Sequence, residues 1–119
     1  MKKPALTWIG KDNRDRLAPR VLVEDTARSY ASEKNVTGRD IFDNMLIQGD
    51  NLLALKALSH QVSGTVKCIF IDPPYNTGHA FDHYDDGVDH AQWLSFMRER
   101  IEALRDLLGD DGSMWVSLD

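Results

Sequence analysis

The sequence predicts an α/β fold, a partial open parallel sheet preceded by an irregular N-terminal arm. Three observations predict it. Val66-Lys67-Cys68-Ile69-Phe70-Ile71 is a nearly continuous apolar run, β-branched and aromatic, of the kind buried on both faces of a parallel sheet. Leu94, Met97, Ile101, Leu104 and Leu108 recur at steps of three and four, which makes one apolar helical stripe. The predicted strands are far enough apart in sequence for helical crossovers, so they run parallel.

The elements follow in order. Residues 1–43 are charged, carry Pro4, Pro19, Gly10 and Gly38, and keep no sustained period, so they read as an arm. Within the arm, Trp8 and Tyr30 are expected to pack on the body, and Val21-Leu22-Val23 is a minor strand candidate. Residues 44–119 read as the folded body, the core of an open α/β sheet. Met45-Leu46-Ile47-Gln48 predicts its first strand, closed by Gly49. Asp50 sits at a helix N-cap position, and Leu52, Leu53, Leu55 and Leu58 predict a short helix after it. Val66–Ile71 is the second strand, ended by Pro73-Pro74 because proline cannot donate to a ladder. A polar loop follows from Asn76 to Val88. Asp89 opens the long helix, with Gln92 as its capping-box partner. Gly109 and Gly112 bracket the end of that helix, and Ser113 to Leu118 predicts the third strand.

Composition sets the outer limits. The chain has 119 residues, 42% apolar and 28% charged, an ordinary balance for a folded domain rather than a disordered, collagen-like or disulfide-built one. No apolar run is long enough to span a bilayer, so no membrane partner is expected. Met1-Lys2-Lys3-Pro4 is basic but leads into no apolar signal segment, and a cytoplasmic location is expected. The single cysteine, Cys68, lies within an apolar run and is expected in the core. The net charge of −5 is unevenly spread: residues 1–20 carry six basic and two acidic side chains, and the body is strongly acidic. Phosphate contacts need lysine and arginine, so any grip on nucleic acid must come from the arm or from other polypeptide.

Each predicted strand ends at a carboxylate: Asp50, Asp72 and Asp119. Ligands of open α/β sheets bind beyond the carboxyl ends of the strands, so these aspartates line the candidate edge. Asp72-Pro73-Pro74-Tyr75 carries the most specific chemistry. An ionised aspartate only accepts hydrogen bonds. The two prolines lack N–H groups and stiffen the turn, and a residue before proline is held extended. The Pro73 carbonyl is therefore a fixed acceptor beside a carboxylate. Two such acceptors suit a ligand group with two N–H donors, such as an exocyclic amine. Tyr75 adds an aromatic face for a planar base, and such stacking contributes roughly 1–3 kcal/mol.

Asp72-Pro73-Pro74-Tyr75 after an apolar strand resembles the catalytic motif of the amino-group DNA methyltransferases. Cytosine-N4 enzymes usually carry serine at the first position, so Asp72 points to the adenine-N6 enzymes. Further stretches resemble the modification subunits of type III restriction–modification systems. They are Leu6-Thr7-Trp8-Ile9-Gly10-Lys11, Gly49-Asp50-Asn51 through Leu58, Asp72 through Asn76-Thr77-Gly78, Trp93-Leu94 through Leu108, and Asp111-Gly112-Ser113 with Ser117-Leu118-Asp119.

The resemblance implies a Rossmann-like methyltransferase sheet with S-adenosylmethionine as cofactor. It implies double-stranded DNA as substrate, with the target adenine flipped out of the stack. Asp72, Pro73, Pro74 and Tyr75 would be the catalytic residues: Tyr75 stacks on the base, while Asp72 and the Pro73 carbonyl accept the two N6 hydrogens. Asp50, Asn51 and Asp72 would face the cofactor. A restriction subunit, or a second copy of the chain, would be a further partner. The family also uses a glycine-rich cofactor loop, and no Gly-x-Gly occurs among the eight glycines. The expectation is an N-terminal fragment, inactive alone. The alternatives are a non-catalytic remnant, a split half that assembles with another polypeptide, or a cytosine-N4 enzyme.

Other chemistries fit less well. His79 and His83 have helical zinc spacing, but Asp85-Asp86-Gly87 makes the segment a loop. As a calcium loop with Gly87 at the sixth place, it would put Trp93 where a glutamate is needed. An ATPase reading of Ile69-Phe70-Ile71-Asp72 lacks the phosphate loop upstream.

Overall fold

The computed structural model describes residues 4–14, 16–30, 43–75 and 90–118. Four elements follow in order: helix α1 (Asn51–Val62), strand β1 (Val66–Ile71), helix α2 (His90–Leu107) and strand β2 (Leu108–Val116). The two strands pair in parallel, and α2 is the crossover between them. Among the described residues no helix is long and apolar enough to cross a membrane.

α1 starts where the sequence places it. Asp50 is extended, with φ −61° and ψ 125°, and its Oδ1 accepts the Leu52 and Leu53 N–H groups at 2.9 and 3.1 Å. Two of the four unpaired N–H groups at the helix start are thereby satisfied. At the other end Gly64 takes φ +69°, a left-handed conformation that suits glycine. Ser63 Oγ and the Gly64 N–H both donate to the Asp106 carbonyl in the last turn of α2, at 2.8 and 3.1 Å. The carboxyl ends of the two helices are tied together by these bonds.

Leu52 and Ala57 of α1, Ile69 of β1, and Met97, Leu104 and Leu107 of α2 form the buried core. The predicted stripe on α2 is rotated slightly. Met97 and Leu104 are buried, Leu94 and Leu108 half-buried, and Ile101 lies at the margin while Leu107 is buried in its place.

The sheet corrects four expectations. Met45–Gln48 is not a strand: the described sheet holds β1 and β2, and Leu46 is fully solvent-exposed. An apolar alternation states a demand for burial, but a strand also needs a ladder partner, and this segment pairs with neither described strand. β1 is not covered on both faces either. Ile69 is buried, yet Phe70 is 72% exposed, and its register partner Trp115 is exposed beside it. Successive strand residues face opposite sides, so the described elements cover the Ile69 side and leave the Phe70 side open. Cys68 lies on that open side and is exposed rather than in the core. Val21-Leu22-Val23 also forms no strand, and Val21 and Val23 are exposed.

β2 begins earlier than the sequence suggests. Leu108 pairs with Val66 directly after α2, and regular pairing resumes at Cys68 with Ser113, so Gly109 to Gly112 form a bulge. Gly112 is required there by close approach. A Cβ at this position would lie 2.7 Å from the Val66 carbonyl oxygen and 2.8 Å from the Leu108 side chain.

The arm meets α2. Gly10, at φ +80°, turns the chain, and the Asn13 N–H closes the turn on the Gly10 carbonyl at 2.9 Å. Trp8 Nε1 donates to Ser95 Oγ at 2.8 Å, so Trp8 packs on the body as expected. Tyr30 departs from the expectation: it is 80% exposed and so is not buried against the body.

Candidate active site

β1 delivers Asp72-Pro73-Pro74-Tyr75 at its carboxyl end. Pro73 is buried, Pro74 half-buried, and Asp72 and Tyr75 face solvent. Parallel pairing continues one residue past the strands: the Ser117 N–H donates to the Ile71 carbonyl at 3.0 Å. Ser117 is thereby placed beside Asp72. The Tyr75 hydroxyl donates to Asp72 Oδ1 and lies 2.9 Å from Ser117 Oγ. Asp72, Tyr75 and Ser117 form one hydrogen-bonded cluster at the end of the sheet.

A proline pair has no N–H with which to anchor itself, so its carbonyls are its only backbone handles. Trp93 of α2 takes one of them: its indole Nε1–H donates to the Pro74 carbonyl at 2.8 Å in a part-buried setting. The stiff turn is thus fixed to the sheet through Ser117 and Tyr75, and to the helix through Trp93.

Asp50 and Asn51 stand at the start of α1, both exposed. Arg100 of α2 holds them. Its Nε donates to Asn51 Oδ1 at 2.6 Å, and its Nη2 lies 3.5 Å from Asp50 Oδ2. The guanidinium also donates to the Phe96 carbonyl at 3.0 Å and stacks 3.4 Å from the centre of the Phe96 ring. Its side chain is only 12% exposed, so the fork is seated rather than solvated.

Further along α2, charges bind the arm. Arg98 donates to Glu102 Oε1 at 2.9 Å and to the Lys11 carbonyl, and Arg14 pairs with Glu102 Oε2 at 2.8 Å. The hydrogen bond from Arg98, assisted by the Arg14 charge and opposed by partial burial, holds the Glu102 carboxyl below its usual range. A shallow cleft bounded by Arg14, Leu55, Glu99 and Asp106 adjoins this network and includes none of the predicted site residues.

The structure brings Asp72, Pro73, Pro74 and Tyr75 together on one turn, and Asp50 and Asn51 on another, each tethered to α2. Asp119 and the segment Asn76 to Asp89, with His79 and His83, lie outside the described residues. Among the described residues no group of His, Cys, Asp and Glu could hold a metal ion. Sequence reasoning missed Ser117, Trp93 and Arg100 as site residues. Trp93 and Arg100 carried one readable signal, their separation of seven residues, which puts them on the same helix face.

Residues 66–119 match the DNA methylase family model. Among the chain's relatives, the probable type III restriction-modification enzyme HindVI Mod subunit of Haemophilus influenzae is 48% identical over 65% of the chain. The type III restriction-modification enzyme EcoP15I Mod subunit of Escherichia coli is 30% identical over 97% of it. The type II methyltransferase M.EcaI of Enterobacter cloacae is 42% identical over 66% of it. The chain spans 10%, 22% and 18% of the length of these three proteins.

Proposed function

We propose that this chain carries the target-base side of a DNA adenine-N6 methyltransferase of a restriction–modification system. The observation that carries the proposal is the Asp72–Tyr75 turn at the end of β1, fixed from two sides by Ser117 and Trp93. A flipped adenine offers an amine with two N–H donors and a planar ring. Asp72 and the Pro73 carbonyl accept the two donors, and Tyr75 stacks on the ring. An aryl amine is a poor nucleophile because its lone pair is delocalised. Acceptors held in place favour the geometry that localises that lone pair, a preorganised electrostatic contribution. The Tyr75 hydroxyl already donates to Asp72. Base entry therefore exchanges an O–H donor for an N–H donor, and the carboxylate keeps a partner throughout.

S-adenosylmethionine would supply the electrophilic methyl group. The donor set at the start of α1 fits such a molecule: an exposed carboxylate, Asp50, beside an exposed amide, Asn51, both suited to a nucleoside's hydroxyl and amine groups. Asn51 Oδ1 is taken by Arg100, which leaves its NH2 group to donate. The sequence has no Gly-x-Gly loop, so we place that part of the cofactor site on polypeptide outside these residues and expect no methyl transfer by this chain alone. Double-stranded DNA is the substrate, and a restriction subunit or a second copy is the partner of the assembled enzyme.

Site-resolved NMR titrations test the reading at the weak affinities such a half-site would have. Deoxyadenosine monophosphate should shift the resonances of Asp72 and Tyr75, and S-adenosylmethionine those of Asp50 and Asn51. Shifts elsewhere, or none at millimolar ligand, would refute it. A stronger response to deoxycytidine monophosphate would move the assignment to cytosine N4.

A further inference from the structure

The two halves of the proposed site have a common support. Trp93 holds Pro74 and Arg100 holds Asn51 and Asp50, and the two residues are seven apart on α2. Seven residues turn an α-helix through almost two full turns, so both side chains leave from the same face, about 10 Å apart along the axis. Neither contact is part of the hydrophobic core. Both are directed hydrogen bonds from a donor on α2 to an acceptor of the site. Both donors are rigid and planar: an indole fixed by two torsions, and a guanidinium stacked on Phe96.

We infer that Trp93 and Arg100 are the positioning residues of the two half-sites, Trp93 for the target base and Arg100 for the cofactor, with α2 as the ruler that sets their separation. The inference rests on the methyltransferase reading and extends it to residues that touch neither substrate. Trp93 orients the Pro74 peptide, and through it the adjoining Pro73 carbonyl and the Tyr75 ring. Arg100 fixes the Asn51 amide, and so the direction in which its NH2 group donates. Asp50 Oδ1 is held by the helix N–H groups, and Arg100 draws on the other oxygen. The inference requires separable effects, one ligand for each residue.

The test crosses two ligands with two substitutions in the whole chain. Binding of deoxyadenosine monophosphate and of S-adenosylmethionine is measured by NMR for the wild type, Trp93→Phe and Arg100→Lys. Losing one directed hydrogen bond weakens binding by roughly three- to tenfold. Trp93→Phe should show that loss for the nucleotide and less than about a twofold change for S-adenosylmethionine, with the reverse pattern for Arg100→Lys. If phenylalanine perturbs the fold, benzothienylalanine at position 93 removes the N–H and keeps the shape, and 7-azatryptophan restores the donor and should restore affinity. A purely structural role would lower the melting temperature and leave both affinities alone, or weaken both ligands equally in both variants. Either pattern overturns the inference. If the wild type binds neither ligand, the methyltransferase reading itself fails and takes the inference with it.

Discussion

The two sides of the small sheet are treated differently. On the Ile69 side the helices close over the strand, and α2 sends directed bonds into the turn after β1 and the start of α1. On the other side Phe70 and Trp115 are adjacent in the register and stand open. The difference separates two kinds of information in one strand. Ile69 contributes stability now. Phe70 and Trp115 state a demand for burial that the described residues do not meet, and they add little to the stability of this chain.

Substitutions on the two sides should therefore diverge. The largest effect is expected on the closed side. Leu107 is 3% exposed, and Leu107→Ala should cost about 2–5 kcal/mol in denaturant unfolding. Gly112→Ala comes next. Its new methyl group meets the Val66 carbonyl at 2.7 Å, and the displaced bulge should cost about 1–3 kcal/mol in the same measurement. Asp50→Ala removes the α1 cap at a cost of about 1 kcal/mol, visible as a lower melting temperature in circular dichroism. On the open side, Phe70→Ser should stay within about 0.5 kcal/mol of wild type while improving solubility. A Phe70→Ser cost near that of Leu107→Ala would erase the distinction between the two sides.

The smallest effect concerns the arm. The Glu102 carboxyl titrates below its usual range because Arg98 and Arg14 favour its charged form. A depressed folded-state value means that this contribution is present above the ordinary glutamate range and is lost as pH falls through the depressed value. Trp8 lies 5.9 Å from the Arg98 guanidinium, so its fluorescence should change over that acidic window. Glu102→Gln should remove the transition, and a transition that survives the substitution would assign it to another group.

Local chemistry was legible in the sequence. Asp50 as a cap, the α1 and α2 helices, and β1 ending at the proline pair all follow from residues close to one another in the chain. The errors arose where a distant partner decides the outcome. Met45–Gln48 has strand-like residues, but the ladder must come from elsewhere. Cys68 has core-like neighbours, but one side of its strand lacks a described cover. The same limit hid Ser117, Trp93 and Arg100. Each acts on a residue far away in sequence, and nothing in a serine, tryptophan or arginine on its own names that acceptor. The Asp-Pro-Pro-Tyr turn was readable because its specificity is local: two missing N–H groups, one carboxylate and one ring in four consecutive residues.

The central claim is that Asp72 is the acceptor for a base amine, and Asp72→Asn tests it most directly. Asparagine keeps the shape and replaces one acceptor oxygen with a donor, which opposes an incoming N–H group. The claim predicts that deoxyadenosine monophosphate binds the wild type, with shifts centred on Asp72 and Tyr75. It predicts that the substitution weakens this binding by about tenfold or more while the melting temperature holds. Equal binding by the two proteins would contradict it.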